Sequence, residues 1–179
     1  MTHLFWDASA LSKRYAPEHG SEIVKALFNL VSTSQMATTV LGYAETQAAL
    51  VRKHNHGLLV KAVFDSATSA LETEVLVSPR FALLGVEFDA VLTSIALIKR
   101  HNINASDAAI LVTFLRYAQF LSQSGTRCLL IASDKRLIRA AEAEGMASLN
   151  PETIPARGTG GDRTRGERAH RYSRSATDD

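Results

Sequence analysis

The chain has 179 residues, the length of one domain, and 46% of them are hydrophobic, enough for a sizeable core. A lone cysteine, Cys128, excludes an internal disulfide scaffold and fits a reducing compartment such as the cytoplasm. The net charge of +2 comes entirely from the segment beginning at Pro155, whose six Arg face four acids; before it stand fourteen of the 20 basic and fourteen of the 18 acidic residues. Residues 1–154 therefore carry no general attraction for polyanions, and any nucleic-acid affinity there must come from a local patch.

No basic segment precedes the first apolar run and Asp7 interrupts it, so no signal peptide is expected. Residues 3–6 read as a short strand that ends on Asp7, and residues 8–15 as a helix stopped near Pro17. In "GSEIVKALFNLVS" the apolar residues fall at 23, 24, 27, 28, 30 and 31, the spacing of a helix with Ser21 as its cap. Residues 35–37 form a candidate short strand. Thr38 or Thr39 then caps a helix to about His54, with Gly57 as the stop. Residues 58–71 and 87–101 read as two more helices. The longest apolar span, residues 81–98, contains Glu87 and Asp89, which argues against a membrane span. "INASDAAILVTFLRYAQFL" is apolar nearly all round, the pattern of a central, buried helix. "RCLLIAS" reads as a buried parallel strand, "DKRLIRAAEAEG" as the helix after it, ended by Gly145, and "MASLN" as a last edge strand before Pro151. Strands alternating with helices predict an α/β domain, a parallel sheet covered on both faces, over residues 1–154. Residues 155–179 are rich in Gly, Arg and Ser and nearly empty of large apolar side chains, so they are expected to be a disordered tail.

Four carboxylates stand at telling places. Sites in parallel sheets gather beyond the carboxyl ends of the strands. Asp7 ends the first strand, and Asp134 follows "CLLIAS" by one residue. Asp107 opens the buried helix, directly after Ser106. Glu45 has Leu41, Gly42, Ala48 and Ala49 as helical neighbours, so it is expected to be partly buried. Taken singly, Asp107 and Asp134 are accounted for as acids at helix starts, where the helix dipole favours them. Taken together, two carboxylates about 5 Å apart repel by roughly 3 kcal/mol at an effective dielectric near 20. A divalent cation relieves that repulsion. With hard oxygen ligands and no clustered Cys or His, the ion is Mg²⁺ or Mn²⁺ rather than zinc. The histidines of "HNH" at 54–56 read as capping or solvated, and Asp89 as an exposed face residue. A carboxylate-held Mg²⁺ recruits phosphate, activates water and stabilises charge on a phosphoryl oxygen, the chemistry of phosphodiester hydrolysis.

The residues carrying this pattern resemble a known family. "DASALSKRYAPEHGSE" looks like the opening of a PIN-domain ribonuclease, specifically a VapC-type toxin of a toxin–antitoxin pair. The resemblance continues through "TTVLGYAETQAAL", "INASDAAIL", "LLIASDKRL" and "AEAEGMASLNPE", over about residues 3–152. The interval from Asp107 to Asp134 is longer than the family's, which assigns "YAQFLSQSGT" to an extended helix end and loop. The resemblance implies a three-layer α/β/α PIN-like fold with a central parallel sheet, endonucleolytic cleavage of RNA, homodimerisation and inhibition by a cognate VapB-like antitoxin. It also implies that Asp7, Glu45, Asp107 and Asp134 are the catalytic, metal-binding acids. Asp7 and Asp107 are expected to coordinate directly, with Glu45 and Asp134 acting through water or at a second ion. Ser9 and Ser133 resemble small hydroxyl residues near such sites, with helix capping as the other reading.

RNA phosphates need positive charge near the acids. Lys13 and Arg14 follow Asp7 by two helical turns, and Lys135, Arg136 and Arg139 follow Asp134. An ordinary solvated helix face is the competing reading for each. Three other functions compete: a processing or DNA nuclease of the same fold without an antitoxin, a phospho-acceptor receiver, and a non-catalytic binding domain. A receiver normally has an acid pair after its first strand and a Lys ending a late strand; this chain offers only Asp7 and no such Lys.

Overall fold

A computed structural model describes residues 1–155. The Arg- and Gly-rich tail expected from residue 155 onward therefore lies outside the described residues, apart from Pro155 itself. Among the described residues, five strands form one sheet in the order β3-β2-β1-β4-β5, every pair parallel. The strands are β1 (Thr2–Trp6), β2 (Met36–Thr39), β3 (Ala82–Leu84), β4 (Arg127–Ile131) and β5 (Ala147–Leu149). The helices are α1 (Ala8–Tyr15), α2 (Ser21–Leu30), α3 (Val40–Asn55), α4 (Lys61–Leu71), α5 (Phe88–His101), α6 (Ala105–Ser122) and α7 (Lys135–Ala143).

The alternation of side chains along the central strands sorts the helices into two layers. Phe5 of β1 and Leu130 of β4 face a core with Ile110, Leu111 and Phe114 of α6, Leu97 of α5 and Leu137 of α7. Phe5 and Phe114 stack with ring centroids 4.8 Å apart. Leu4, Trp6 and Ile131 face the opposite way, onto Leu11 of α1, Val24 of α2, Leu50 of α3 and Leu71 of α4. The result is a three-layer α/β/α fold, as the periodicity predicts.

Several local expectations need correction. β3 escaped the reading of residues 81–98, because three half-buried edge residues are too few to show alternation. Ser21 is not the cap of α2. Gly20 caps it in the left-handed conformation at φ 86°, and the Ser21 hydroxyl accepts instead from the Glu18 amide at 2.8 Å. A Cβ at Gly20 would also meet the Pro151 carbonyl carbon at 3.0 Å, so only glycine fits between α2 and the C-terminal strap. α4 starts at Lys61, three residues later than expected, and continues as a π-helical turn over Glu72–Leu76. In α6 the buried residues are Ala108–Val112 and Phe114; Phe120 near its end is 63% exposed. The long interval after Asp107 is this helix running on to Ser122, then a turn at Gly125 with φ 72°. His54 donates from Nδ1 to the Leu59 carbonyl (2.8 Å) and stacks on Phe64.

Candidate active site

The site lies at the carboxyl rim of β1 and β4, which are adjacent and parallel in register from Thr2↔Arg127 to Trp6↔Ile131. The Asp7 amide extends that pairing, donating to the Ile131 carbonyl at 3.0 Å, so the residue is held as firmly as the strand before it. Its side chain turns back to cap α1, with Oδ2 accepting from the Ser9 amide at 2.9 Å and from the Ser9 hydroxyl. The same Ser9 oxygen accepts from the amides of Ser133 (2.8 Å) and Asp134 (3.2 Å). One hydroxyl thus ties the end of β1 to the end of β4.

Glu45 reaches the rim from the second turn of α3, which starts directly after β2. The Thr38 hydroxyl donates to the Trp6 carbonyl at 2.7 Å, and the Thr39 hydroxyl caps α3 by accepting from the Gly42 amide at 2.9 Å. A Cβ on Gly42 would come within 2.6 Å of the Thr38 hydroxyl oxygen, so the tight turn from β2 into α3 requires glycine there. Asp107 enters from the first turn of α6. Asp7, Glu45 and Asp107 each present one carboxylate oxygen within 4.8 Å of the others, the only such grouping among the described residues. Asp134 lines the same cleft, of about 330 Å³, but stands outside that trio. Its Oδ1 is engaged as the cap of α7, accepting from the amides of Arg136 (2.7 Å) and Leu137 (3.1 Å).

Asp7 is 4% exposed. Burial pushes its carboxyl above the usual range; the two Ser9 hydrogen bonds offset part of that, and the charges of Glu45 and Asp134 push further up. Asp107 is pushed up to about 6, chiefly by burial, then by Asp7, Asp134 and Glu45, while Arg136 pulls the other way. Such a concentration of uncompensated negative charge, in hard oxygen donors without Cys or His among them, fits a Mg²⁺ or Mn²⁺ ion.

The cations divide differently from the sequence expectation. Lys13 is 3% exposed and pairs with Glu18 (3.1 Å) and Glu152 (2.8 Å), so it fastens α1 to the C-terminal strap and is not available to RNA. Arg14 pairs with Glu74 at 3.1 Å and lies over the Phe28 ring, outside the acid cleft. Lys135 and Arg139 line a separate cavity beside β5. Arg136 alone among the five acts on Asp107. Ser9 holds the hydrogen-bonding position just described. Ser133 contributes its amide, while its hydroxyl is buried without a hydrogen-bond partner among the described residues. Ser12 and Arg52 also line the cleft and were not anticipated. The signal for Arg52 was its place seven residues after Glu45, two turns along the same helical face.

Ser9→Ala is expected to cost about 1–3 kcal/mol, because two part-buried amides lose their acceptor. A urea denaturation series at pH 7.5 measures this, and an unchanged midpoint would count against the tie.

The fold is a PIN-like α/β/α domain, and solved structures share it. FitAcB from Neisseria gonorrhoeae superposes with a TM-score of 0.58 at 20% identity, covering 84% of this chain and 99% of that one. VapC20 from Mycobacterium tuberculosis, described as a sarcin–ricin loop cleaving toxin, gives 0.57 at 17% identity, covering 85% and 99%. A toxin–antitoxin complex from Klebsiella pneumoniae gives 0.52 at 17% identity, covering 84% and 99%. No family model and no curated protein matches the sequence.

Proposed function

We propose that this chain is a metal-dependent endoribonuclease of the VapC type, the toxin of a toxin–antitoxin pair, with residues 1–154 as its nuclease domain. The observation that carries the reading is the meeting of Asp7, Glu45 and Asp107 within 4.8 Å at the rim of a PIN-like sheet. Those three would hold Mg²⁺ or Mn²⁺, with Asp134 beside them through water or at a second ion. When bound, the ion supplies Lewis-acid stabilisation of phosphoryl charge and lowers the pKa of water. The chain's own residues supply the rest. Ser9 fixes the Asp7 carboxylate in one orientation. Asp134 has Oδ1 committed to the α7 amides, which leaves Oδ2 to take the proton of the attacking water. Arg136 beside Asp107 offers charge to the RNA phosphate.

A VapB-like antitoxin and a second copy of the chain are the partners this reading brings, in the cytoplasm. Phe88, Val91, Leu92 and Ile95 of α5 are exposed at helical spacing, an apolar stripe that suits contact between copies. No described helix is long and apolar enough to cross a membrane.

The direct test is incubation of the purified chain with end-labelled tRNA and rRNA. Discrete fragments are expected with Mn²⁺ or Mg²⁺, none in EDTA, and fragments again once the metal is restored. RNA left intact under every ion, by protein freed of any co-purifying antitoxin, would remove the proposal.

A further inference from the structure

Arg52 differs from the paired cations Lys13, Arg14 and Lys53. Lys13 and Arg14 are neutralised by carboxylates, and Lys53, its neighbour on α3, is paired with Glu18. Arg52 lines the acid cleft yet has no ion pair and no side-chain hydrogen bond among the described residues. It is exposed. Glu45, Ala49 and Arg52 follow one another on one face of α3, and Ala49 leaves an open floor between the acid and the cation. Ser12 of α1, another small residue, lines the same cleft. The cleft thus runs lengthwise along α3 from an anionic end to a cationic end. Seven residues of helix separate the Cα atoms of Glu45 and Arg52 by about 10 Å.

We infer that Arg52 binds a phosphate of the RNA next to the scissile one, and so sets where the strand lies relative to the acids. The inference rests on the nuclease reading above. The scissile phosphate belongs at the acids. Arg52 is anchored about 10 Å farther along the helix than Glu45 and lines the same cleft, which places its guanidinium within reach of a phosphate in the strand held at the acids. A planar five-donor fork suits phosphate, and an unpaired guanidinium reaches it without breaking a contact inside the protein. Arg52 is therefore a substrate-positioning residue whose effect falls on binding rather than on the chemical step.

The test uses the full chain and a short RNA that wild type cleaves at one bond. Arg52→Ala is expected to raise KM about tenfold with kcat nearly unchanged. It is also expected to flatten the salt dependence of binding, measured by fluorescence anisotropy in EDTA, by about 0.7 in the log–log slope. Arg52→Lys should recover part of the affinity. In a series of RNAs each carrying one neutral methylphosphonate, one position flanking the cut should weaken wild type and leave Arg52→Ala unaffected. The exposed side chain makes no hydrogen bond or ion pair among the described residues, so the variant should melt like wild type; a shared melting temperature excludes a folding defect. If wild type cleaves and Arg52→Ala matches it in KM, in salt slope and across the methylphosphonate series, the inference is wrong and the nuclease reading stands. A fall in kcat with KM unchanged also overturns it, by placing Arg52 at the chemical step. If wild type neither binds nor cuts RNA, the nuclease reading itself has failed.

Discussion

Asp7→Asn should abolish RNA cleavage, lowering kcat by at least about 10³-fold, while the fold survives. The two halves of this result have different causes. Asn has the shape of Asp and is as good a helix cap, so one oxygen can still accept from the Ser9 amide now 2.9 Å from Oδ2. What disappears is one of three charges that converge within 4.8 Å, and the most buried of them. An amide brings no charge to a divalent cation and holds it poorly. Burial already opposes ionisation of Asp7, so replacing it by a neutral group adds no new desolvation cost. The check is paired: fragment yield from end-labelled RNA, and thermal melting by circular dichroism on the same preparation. A variant that melts like wild type and still cuts at the wild-type rate would sink the proposed role of Asp7.

The second large effect couples metal to pH. At pH 7.5 and a concentration about 100 times Kd, Mn²⁺ should stabilise the fold by about 2.7 kcal/mol, a rise in Tm of about 5–10 °C. The rise should shrink as the pH is lowered toward 5. Asp107 moves from 3.8 in the unfolded chain to about 6 in the fold. Between those values the metal-free fold binds more protons than the unfolded chain, so its stability falls as pH rises. The contribution is whole below 3.8 and lost by the time pH passes 6. Asp7, raised by burial, acts in the same direction. Above that window Asp107 is ionised amid other acids, and an ion relieves the most; below it, protons compete with the ion for the same oxygens. Asp107→Asn should therefore raise the metal-free Tm at pH 7.5 by about 3 °C and remove most of the response to Mn²⁺. Equal metal-induced shifts at pH 5 and pH 8 would contradict the account.

Much of this was readable before any coordinates. Asp7 and Asp134 each close an apolar run of β type, and Asp107 opens a helix, so their places at element ends follow from local pattern. The small neighbours of Glu45 marked it as part-buried, and it is. What pattern could not reach were relations between distant segments. β3 was lost because an edge strand of three half-buried residues has no period to detect. Lys13 and Arg14 read as solvated or RNA-facing because their partners, Glu152 and Glu74, lie 139 and 60 residues away. Glu45 and Asp134 were read alike, as acting through water or at a second ion, whereas Glu45 stands within the trio and Asp134 outside it, one of its oxygens capping α7.

The chain's composition and periodicity settle its class, its element order and which residues are acidic at strand and helix ends, since these depend on neighbours within a few positions. Packing settles the site. β1 lies between β2 and β4, which brings Asp7 and Asp134 to one rim, and Gly42 lets α3 turn tightly out of β2, so that Glu45 meets Asp7 there. Convergence of charges is a property of distances in space. Strand order and close helix approach set those distances, and both come from burying the two sides of one sheet.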